Sequence, residues 1–241
     1  MTRVPIFAHR GASAYALENS SEAFNKAIEL GADGLEIDLQ LTKDLVPIVT
    51  HDPDFWRLAR NRRNVSSMRY EEVKKLKLGT SFWRLVNGSS ILTFEEVLAF
   101  AARKKIALNV ELKETFVGAP DQIDLLFNKS YKHVNIHFSS FHYEVLERIK
   151  KCNPFLQTAY IGTKKTNWEE LGRLTAVDAL HMHKRHYVPG KLDLAYKANM
   201  PLRFCGINGT EKYLENPHPV ISGWITNYPD RVLLKQLKKE S

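Results

Sequence analysis

The sequence predicts a TIM (β/α)8 barrel, and three observations support this fold class. Its 241 residues match the usual size of one such barrel. Short β-rich runs, about eight in number, alternate with amphipathic helical patterns, as expected for parallel βα units. The polar residues best suited to catalysis fall at or just past the ends of these runs, where barrel enzymes place their active sites. We expect one domain over residues 1–241, with a small, basic, partly helical insertion at about 52–90.

The N-terminal part of the chain predicts a strand, a helix and a hairpin. Asn19 or Ser20 can cap the helix, and Gly31 can end it. Residues 42–44 form a predicted turn, after which the chain returns as a further strand. The predicted elements are a strand at Val4–Ala8, a helix at Ser20–Leu30, a strand at Gly34–Leu41 and the returning strand Val46–Thr50.

Residues 52–90 interrupt the alternation of strands and helices. Between Arg57 and Lys77 there are eight basic residues and two acidic ones, a net charge of +6, and Tyr70–Leu78 has a helical pattern. The segment also contains four large aromatic residues, Phe55, Trp56, Phe82 and Trp83. These aromatics can pack the insertion against the barrel while the arginines face water. Alternatively, they can form a lip for a lipid tail or a contact with anionic membrane.

The rest of the chain resumes the βα pattern. Thr93 and Glu96 form a capping box for a helix at Phe94–Lys104. Pro229 begins a last amphipathic helix. The remaining predicted strands are Ala107–Leu112, Val134–Phe138, Leu156–Ile161, Ala179–Met182, Leu202–Ile207 and Gly223–Thr226.

Composition limits the class of protein. No apolar run reaches the ~18–20 residues that span a membrane. Because the first strand begins almost at once, we expect no signal peptide. Cys152 and Cys205 are far apart and are expected to be free thiols. The net charge of +8 favours an anionic ligand. We expect a cytoplasmic protein, peripheral to membrane at most, with no nucleic-acid partner; oligomeric state is left open.

Three carboxylates predict a metal site. Glu36 and Asp38 are two residues apart in an apolar run, so both side chains face the same side of a strand. Glu111 occupies a similar run, and Lys113 shares its face. Buried carboxylates repel each other and are costly to desolvate, and a hard cation with oxygen ligands removes both costs. Mg²⁺ and Ca²⁺ fit equally well.

The basic residues near these carboxylates suit phosphodiester chemistry. Arg10 and Lys113 can hold an anionic phosphate, Arg10 through its planar fork. His9 and His51 can act as acid and base, although their spacing does not say which is which.

The motifs of the chain follow one another in a distinctive order. The first are His9-Arg10-Gly11, Glu18-Asn19, Ala23-Phe24, Gly31-Ala32-Asp33, Glu36-Ile37-Asp38, Thr42-Lys43-Asp44 and His51-Asp52. Later come Glu111-Leu112-Lys113, Ser140-Phe141, Gly206-Ile207-Asn208 and the run 223–230. In these motifs, from residue 6 to about 231, the chain resembles the glycerophosphodiester phosphodiesterase family.

The resemblance implies a TIM barrel, an insertion after the His-Asp motif, and release of glycerol 3-phosphate and an alcohol from glycerophosphodiesters. It implies metal ligands at Glu36, Asp38 and Glu111, an acid/base pair at His9 and His51, and phosphate contacts from Arg10 and Lys113. The chain departs from the family pattern at Leu45, where a glycine is usual, and at Cys205, where the family has tryptophan. These departures predict a differently built turn and an altered pocket wall.

Other activities stay open at this point. A lysophospholipase D-like enzyme would cleave the same bond with an acyl chain present, and a related barrel chemistry would leave a cyclic phosphate. A non-catalytic protein that binds an anionic ligand is the alternative from a different class. Against it, every polar group of the proposed machinery is present.

Overall fold

The computed structural model of the protein describes residues 3–79, 88–127, 131 and 133–238. Within these residues, eight parallel strands close a barrel, which confirms the predicted TIM fold. The strands are β1 Ile6–His9, β2 Gly34–Leu41, β3 Pro47–Val49, β4 Asp54–Phe55, β5 Asn61–Asn64, β6 Ala107–Leu112, β7 Ile136–Ser140, β8 Gln157–Ile161, β9 Ala179–His183, β10 Leu202–Ile207 and β11 Ile221–Thr226. Around the barrel the order is β1, β2, β6, β7, β8, β9, β10 and β11, and β11 pairs back with β1.

Helices surround the barrel and follow most of its strands. They are α1 Ser21–Glu29, α2 Trp56–Ala59, α3 Tyr70–Val73, α4 Phe94–Lys104, α5 Pro120–Phe127, α6 Tyr143–Cys152, α7 Pro189–Lys197 and α8 Pro229–Leu237. The capping box of Thr93 and Glu96 opens α4 as predicted, and Ser20 rather than Asn19 caps α1. After β8 and β10 the chain forms short 3-10 helices instead, at Trp168–Arg173 and Lys212–Leu214.

The main core lies between the barrel and its helices. Every residue of β2 is buried, because one face of the strand packs under helices and the other lines the barrel interior. Leu35, Ile37 and Leu39 belong to the core outside the barrel, where Phe24 of α1 and Phe100 of α4 also pack. The alternate residues, Glu36 and Asp38 among them, therefore face inward.

Several predicted elements differ from the observed ones by one or two residues at an end, and two of them differ more. Strand β7 extends two residues beyond Val134–Phe138, because the hydroxyls of Ser139 and Ser140 are satisfied inside the protein by Asn109 Oδ1 and the Leu112 carbonyl. Hydrophobicity alone therefore ends this strand too early. The helix predicted at Tyr70–Leu78 stops at Val73, and Leu78 instead forms an antiparallel bridge with Ser89.

The insertion has a small apolar core of its own beside the β2–β3 hairpin. Phe55 is buried in this core, as the packing interpretation predicts. Trp56 is 41% exposed, with the guanidinium groups of Arg60 and Arg62 over its ring at 5.1 and 4.4 Å from the centroid. Phe82 and Trp83 lie outside the described residues. The core comprises Ile48, Phe55, Leu58, Val65, Met68, Val73, Leu78 and Ile91.

Leu45 forms the turn between β2 and β3 with a backbone conformation that glycine usually provides. Its φ is 61°, in the left-handed region that costs a residue with a Cβ about 1–2 kcal/mol. Thr42 offsets this cost by accepting a hydrogen bond from the Val46 amide, and Gln122 donates one to the Leu45 carbonyl.

Among the described residues, none of the helices combines the length and the hydrophobicity that crossing a membrane requires.

Candidate active site

Strands β1, β2 and β6 lie side by side and bring the predicted site residues together. In the sheet register His9 is opposite Glu36, and Asp38 is opposite Glu111. His9 ends β1 and Glu111 is the penultimate residue of β6, as the sequence predicts. Glu36 and Asp38 lie in the middle of β2 rather than at its end, because β2 continues to Leu41 to form the hairpin with β3.

The three predicted metal ligands form one buried acidic cluster. Glu36, Asp38 and Glu111 each offer a carboxylate oxygen, and these oxygens lie within 4.8 Å of one another. The residues are 4%, 0% and 8% exposed, so water screens their repulsion poorly. Such an arrangement is stable only if cations or protons neutralise part of the charge.

Protons neutralise part of the charge of Glu36 and Glu111, whereas Lys113 and Arg10 neutralise Asp38. Burial, reinforced by Asp38, raises the pKa of Glu36 to about 8. Burial also raises the pKa of Glu111 to about 7, with Lys113 opposing the rise. Burial acts in the same direction on Asp38, but Lys113 and Arg10 outweigh it and lower the pKa of Asp38 to about 2. Asp38 is thus the permanent anion of the cluster, whereas near neutral pH Glu36 is mostly protonated and Glu111 is protonated in part.

The two predicted phosphate-binding cations lie against this anion. Lys113 Nζ is 2.9 Å from Asp38 Oδ1 and also donates to Glu111 Oε1. Arg10 Nε is 3.1 Å from Asp38 Oδ2. Burial disfavours the charged form of Lys113, yet Asp38 and Glu111 raise its pKa, so both cations are charged at neutral pH.

The tight turn after β1 aims Arg10 at the cluster. Arg10 and Gly11 both have positive φ values, 57° and 80°. A Cβ on Gly11 would lie 2.7 Å from the backbone of Ala23, so only glycine fits between the turn and α1. The Arg10 amide donates to the Glu36 carboxylate at 3.0 Å, which ties the turn directly to a predicted metal ligand.

His9 borders the acidic cluster on one side. Its Nδ1 is 2.7 Å from Asn227 Oδ1, an acceptor, so neutral His9 carries its proton on Nδ1. Its Nε2 is then the free base, 4.0 Å from Glu36 Oε2. Burial and the neighbouring Arg10 lower the pKa of His9, which keeps the imidazole neutral at pH 7.

His51 follows β3 and is oriented by an anion rather than an amide. Its Nδ1 is 2.8 Å from Asp52 Oδ1, and Gln40 donates to the carbonyl of His51 at 3.0 Å. Burial lowers the pKa of His51, Asp38 opposes this effect and Lys113 adds to it. His51 lines a cavity of about 210 Å³ together with Glu111, Lys113, Phe141 and His142.

Residues without a predicted role hold the site in place. Arg57, from the insertion, donates to Asp52 at 2.7 Å and to both oxygens of Glu18 at 2.6 and 2.8 Å. Glu18 in turn accepts from Arg10 at 3.0 Å, so one guanidinium braces both the His51 and the Arg10 sides. Asn19, at φ 55°, donates to Asp38. The Glu18-Asn19 motif was visible in the sequence, but its partners become apparent only in three dimensions.

The donor set fits a hard divalent cation. Asp38 Oδ1 is buried and, although Lys113 Nζ lies nearby, it has no aligned hydrogen-bond donor in the described part of the chain. The raised pKa values of Glu36 and Glu111 show that the nearby cations do not fully offset the cost of burying these carboxylates. Carboxylate oxygens are the ligands that Mg²⁺ and Ca²⁺ prefer, and an ion here would replace those protons.

Comparison with known proteins gives a consistent result. Residues 9–209 match the sequence model of the glycerophosphoryl diester phosphodiesterase family. A glycerophosphodiester phosphodiesterase of Bacillus altitudinis is 30% identical over 237 residues, covering 95% of this chain and 96% of the relative.

Solved structures agree on the fold. A Thermotoga maritima glycerophosphodiester phosphodiesterase superimposes with a TM-score of 0.79 at 26% identity, over 97% of this chain and 99% of that one. An Oleispira antarctica phosphodiesterase, solved with the product sn-glycerol-3-phosphate, has a TM-score of 0.82 at 22% identity, over 96% of each chain. The predicted resemblance is therefore confirmed, and the chain belongs to the glycerophosphoryl diester phosphodiesterase family of enzymes.

Proposed function

We propose that this protein hydrolyses glycerophosphodiesters to sn-glycerol 3-phosphate and an alcohol, with one divalent cation, Mg²⁺ or Ca²⁺, and acid/base catalysis by His9 and His51. The observation that carries the proposal is the buried cluster of Glu36, Asp38 and Glu111 beside Lys113. The name of the Bacillus altitudinis relative and the product bound by the Oleispira antarctica phosphodiesterase support the substrate class.

The side chains of the site can divide the work of hydrolysis. A cation held by Glu36, Asp38 and Glu111 would supply Lewis-acid stabilisation of the phosphoryl oxygens. Lys113 and Arg10 would bind the same phosphate through their free N–H groups. One histidine takes a proton from the attacking water while the other gives a proton to the leaving alkoxide. The bond from phosphorus to the alcohol oxygen breaks as the bond to the water oxygen forms.

The identity of the products tests this proposal. We expect release of sn-glycerol 3-phosphate from glycerophosphocholine, with one ¹⁸O atom entering the phosphate when the reaction runs in ¹⁸O-labelled water. A cyclic phosphate trapped at early times, with label entering only later, would instead indicate internal attack by a substrate hydroxyl. If no divalent cation supports turnover, the assigned activity is contradicted, although the fold assignment is unaffected.

A second candidate substrate is a lysoglycerophospholipid. It is favoured by a cavity of about 440 Å³ between the loop after β1 and the insertion, bordered by Glu18 and Arg57. Ala14, Ala16, Leu17 and Leu58 give part of its described lining an apolar character suited to an acyl chain. The same assay with lysophosphatidylcholine, measuring lysophosphatidic acid, decides between the substrates. Turnover mainly of the acylated substrate would favour this candidate.

Affinity for the divalent cation is expected to rise with pH. The metal-free protein holds protons on Glu36 and Glu111, whose pKa values are raised to about 8 and about 7. Below pH 7 the cation must displace both protons, and above pH 8 it displaces few, so binding strengthens as the pH increases. Calorimetric titration with Ca²⁺ in two buffers of different ionisation enthalpy should detect proton release near pH 7. An affinity independent of pH would contradict this account.

We further propose a weak contact between the insertion and anionic membrane. Trp56 is partly exposed between Arg60 and Arg62, a combination suited to the lipid interface. Arg57 is excluded from this surface because Glu18 and Asp52 engage it. Phe55, by contrast, is buried and cannot take part in this contact.

Co-sedimentation with vesicles tests the membrane contact. The double variant Arg60→Glu/Arg62→Glu is expected to lose at least tenfold in affinity for phosphatidylserine vesicles, since each basic residue near such a surface contributes about 1 kcal/mol. The matched control is Lys104→Glu/Lys105→Glu, which changes charge where α4 ends at the opposite mouth of the barrel. Equal pelleting with neutral and anionic vesicles, or an equal loss in both variants, would rule the contact out.

A further inference from the structure

A cluster of one arginine and two histidines lies inside the barrel at the N-terminal ends of the strands, away from the acidic cluster. It comprises His137 of β7, His181 of β9 and Arg203 of β10, which are near the starts or middles of their strands. The Arg203 guanidinium stacks over the Phe7 ring, 4.7 Å from its centroid, and contacts the His137 ring. The two imidazoles meet edge to face at 5.8 Å. None of these groups has a role in the proposed hydrolysis.

The charge of Arg203 has no counter-ion among the described residues. Arg203 takes part in none of their ion pairs, and its Nε is buried without a hydrogen-bond partner. Burial lowers the pKa of Arg203 to about 10, which still leaves the side chain charged at neutral pH. Burial and Arg203 together hold the pKa values of His137 and His181 well below 6.5, so these rings add no charge. A half-buried cation without a counter-ion is costly, although less so than a fully buried one.

A cavity of about 190 Å³ adjoins this cation. The residues around it lie at the N-terminal ends of successive strands. Their side chains include a cation, an imidazole, an amide and two hydroxyls. Its described lining contains one carboxylate, Asp178, which Lys150 Nζ and the Thr158 amide already engage at 2.7 and 2.8 Å. The polar lining residues are His137, Gln157, Thr158, Asp178, Arg203 and Ser222.

We propose that this cavity binds a small oxyanion of the phosphate or sulfate class as the counter-ion of Arg203. Arg203 supplies the charge and a planar set of donors, and Gln157 supplies a neutral amide beside His137 in the sheet. The cavity is at the opposite mouth of the barrel from the acidic cluster, so the site is separate from the one that cleaves the substrate. A ligand that binds only the folded chain stabilises it by mass action.

The variant Gln157→Glu tests this site because it places a carboxylate of the same shape in the cavity. With inorganic phosphate as the probe, at constant ionic strength and with Mg²⁺ present, phosphate is expected to raise the Tm of the wild-type protein by about 2–4 °C. Gln157→Glu should show a similar rise without phosphate, because it carries its own counter-ion, and should no longer respond to phosphate. Its turnover of glycerophosphocholine should be unchanged.

Two further variants separate this site from the catalytic one. Arg203→Met should also lose the response to phosphate, whereas Lys113→Met, which weakens phosphate binding at the catalytic site, should keep it. The proposal is overturned if Lys113→Met abolishes the response while Gln157→Glu retains it, because phosphate would then act at the catalytic site alone. A wild-type Tm that does not change with phosphate would overturn it equally.

Discussion

Replacing Glu36 or Glu111 by glutamine is expected to lower turnover about a thousandfold while leaving the fold intact. The loss follows because Lewis-acid stabilisation is worth several kcal/mol, and each ~1.4 kcal/mol corresponds to a factor of ten in rate. The fold should survive because both carboxyls have raised pKa values in the metal-free protein. Glutamine is close in shape and polarity to the protonated glutamic acid that it replaces.

Asp38 should behave differently from the other two ligands. It is the anion that Lys113 and Arg10 neutralise, so Asp38→Asn leaves two buried cations with less compensation. We expect this variant to lose both activity and stability. Loss of activity alone, in the glutamine variants, would indicate a role in metal binding. Loss of both activity and stability, in Asp38→Asn, would indicate a role in neutralising Lys113 and Arg10 as well.

Thermal unfolding with and without Ca²⁺ provides the second readout for these variants. The Tm of the wild-type protein should rise when Ca²⁺ is added. Glu36→Gln and Glu111→Gln should have the same Tm as the wild-type protein in EDTA, and Ca²⁺ should raise it little. Glu29→Gln, on the exposed face of α1, is the matched control and should behave as wild type. If the glutamine variants keep both their turnover and their stabilisation by Ca²⁺, the assignment of Glu36 and Glu111 as metal ligands is contradicted.

Asparagine at His9 or at His51 is expected to slow the hydrolysis of glycerophosphocholine about 10²–10⁴-fold, the usual contribution of a general acid or base. The two variants should respond differently to the leaving group. p-Nitrophenol leaves readily without a proton, so glycerophospho-p-nitrophenol should restore the rate of the variant that lacks the acid. The variant that lacks the base should remain slow with both substrates.

The two histidines have different hydrogen-bond partners, which suit them to different roles. His51 is paired with the Asp52 carboxylate, which stabilises an imidazolium, whereas His9 is paired with the neutral Asn227 amide. His133→Asn, in the exposed turn before β7, is the control. Losses below tenfold in both histidine variants, or equal rescue of both, would be incompatible with an acid/base pair.

Much of the fold could be predicted because local patterns and packing agree. The capping box at Thr93 and the stop at Gly31 are short-range signals, and both α4 and α1 follow them. Hydrophobicity misplaces strand β7 because Ser139 and Ser140 are buried, and only their partners on β6 explain why polar residues are tolerated there. The helix at Tyr70 was predicted too long because tertiary pairing of Leu78 with Ser89 overrides helical propensity.

The candidate site could be predicted as a set of residues but not as a network. Spacing of two residues placed Glu36 and Asp38 on one face of a strand, and the structure brings Glu111 and Lys113 to them. The bracing role of Arg57 could not be inferred, because its partners are 5 and 39 residues away and no local pattern links them. The charges of Arg57 and Arg60 look alike in sequence, yet only the first contacts the site.

The most direct test of the central claim is to titrate metal-depleted protein with Mg²⁺ or Ca²⁺ while measuring bound ion and glycerol 3-phosphate release from glycerophosphocholine on the same samples. The account predicts negligible turnover without metal and activity that rises in proportion to a single bound ion. It also predicts that Glu36→Gln and Glu111→Gln neither bind that ion nor regain activity. Full turnover by protein shown to be free of divalent ions would contradict it.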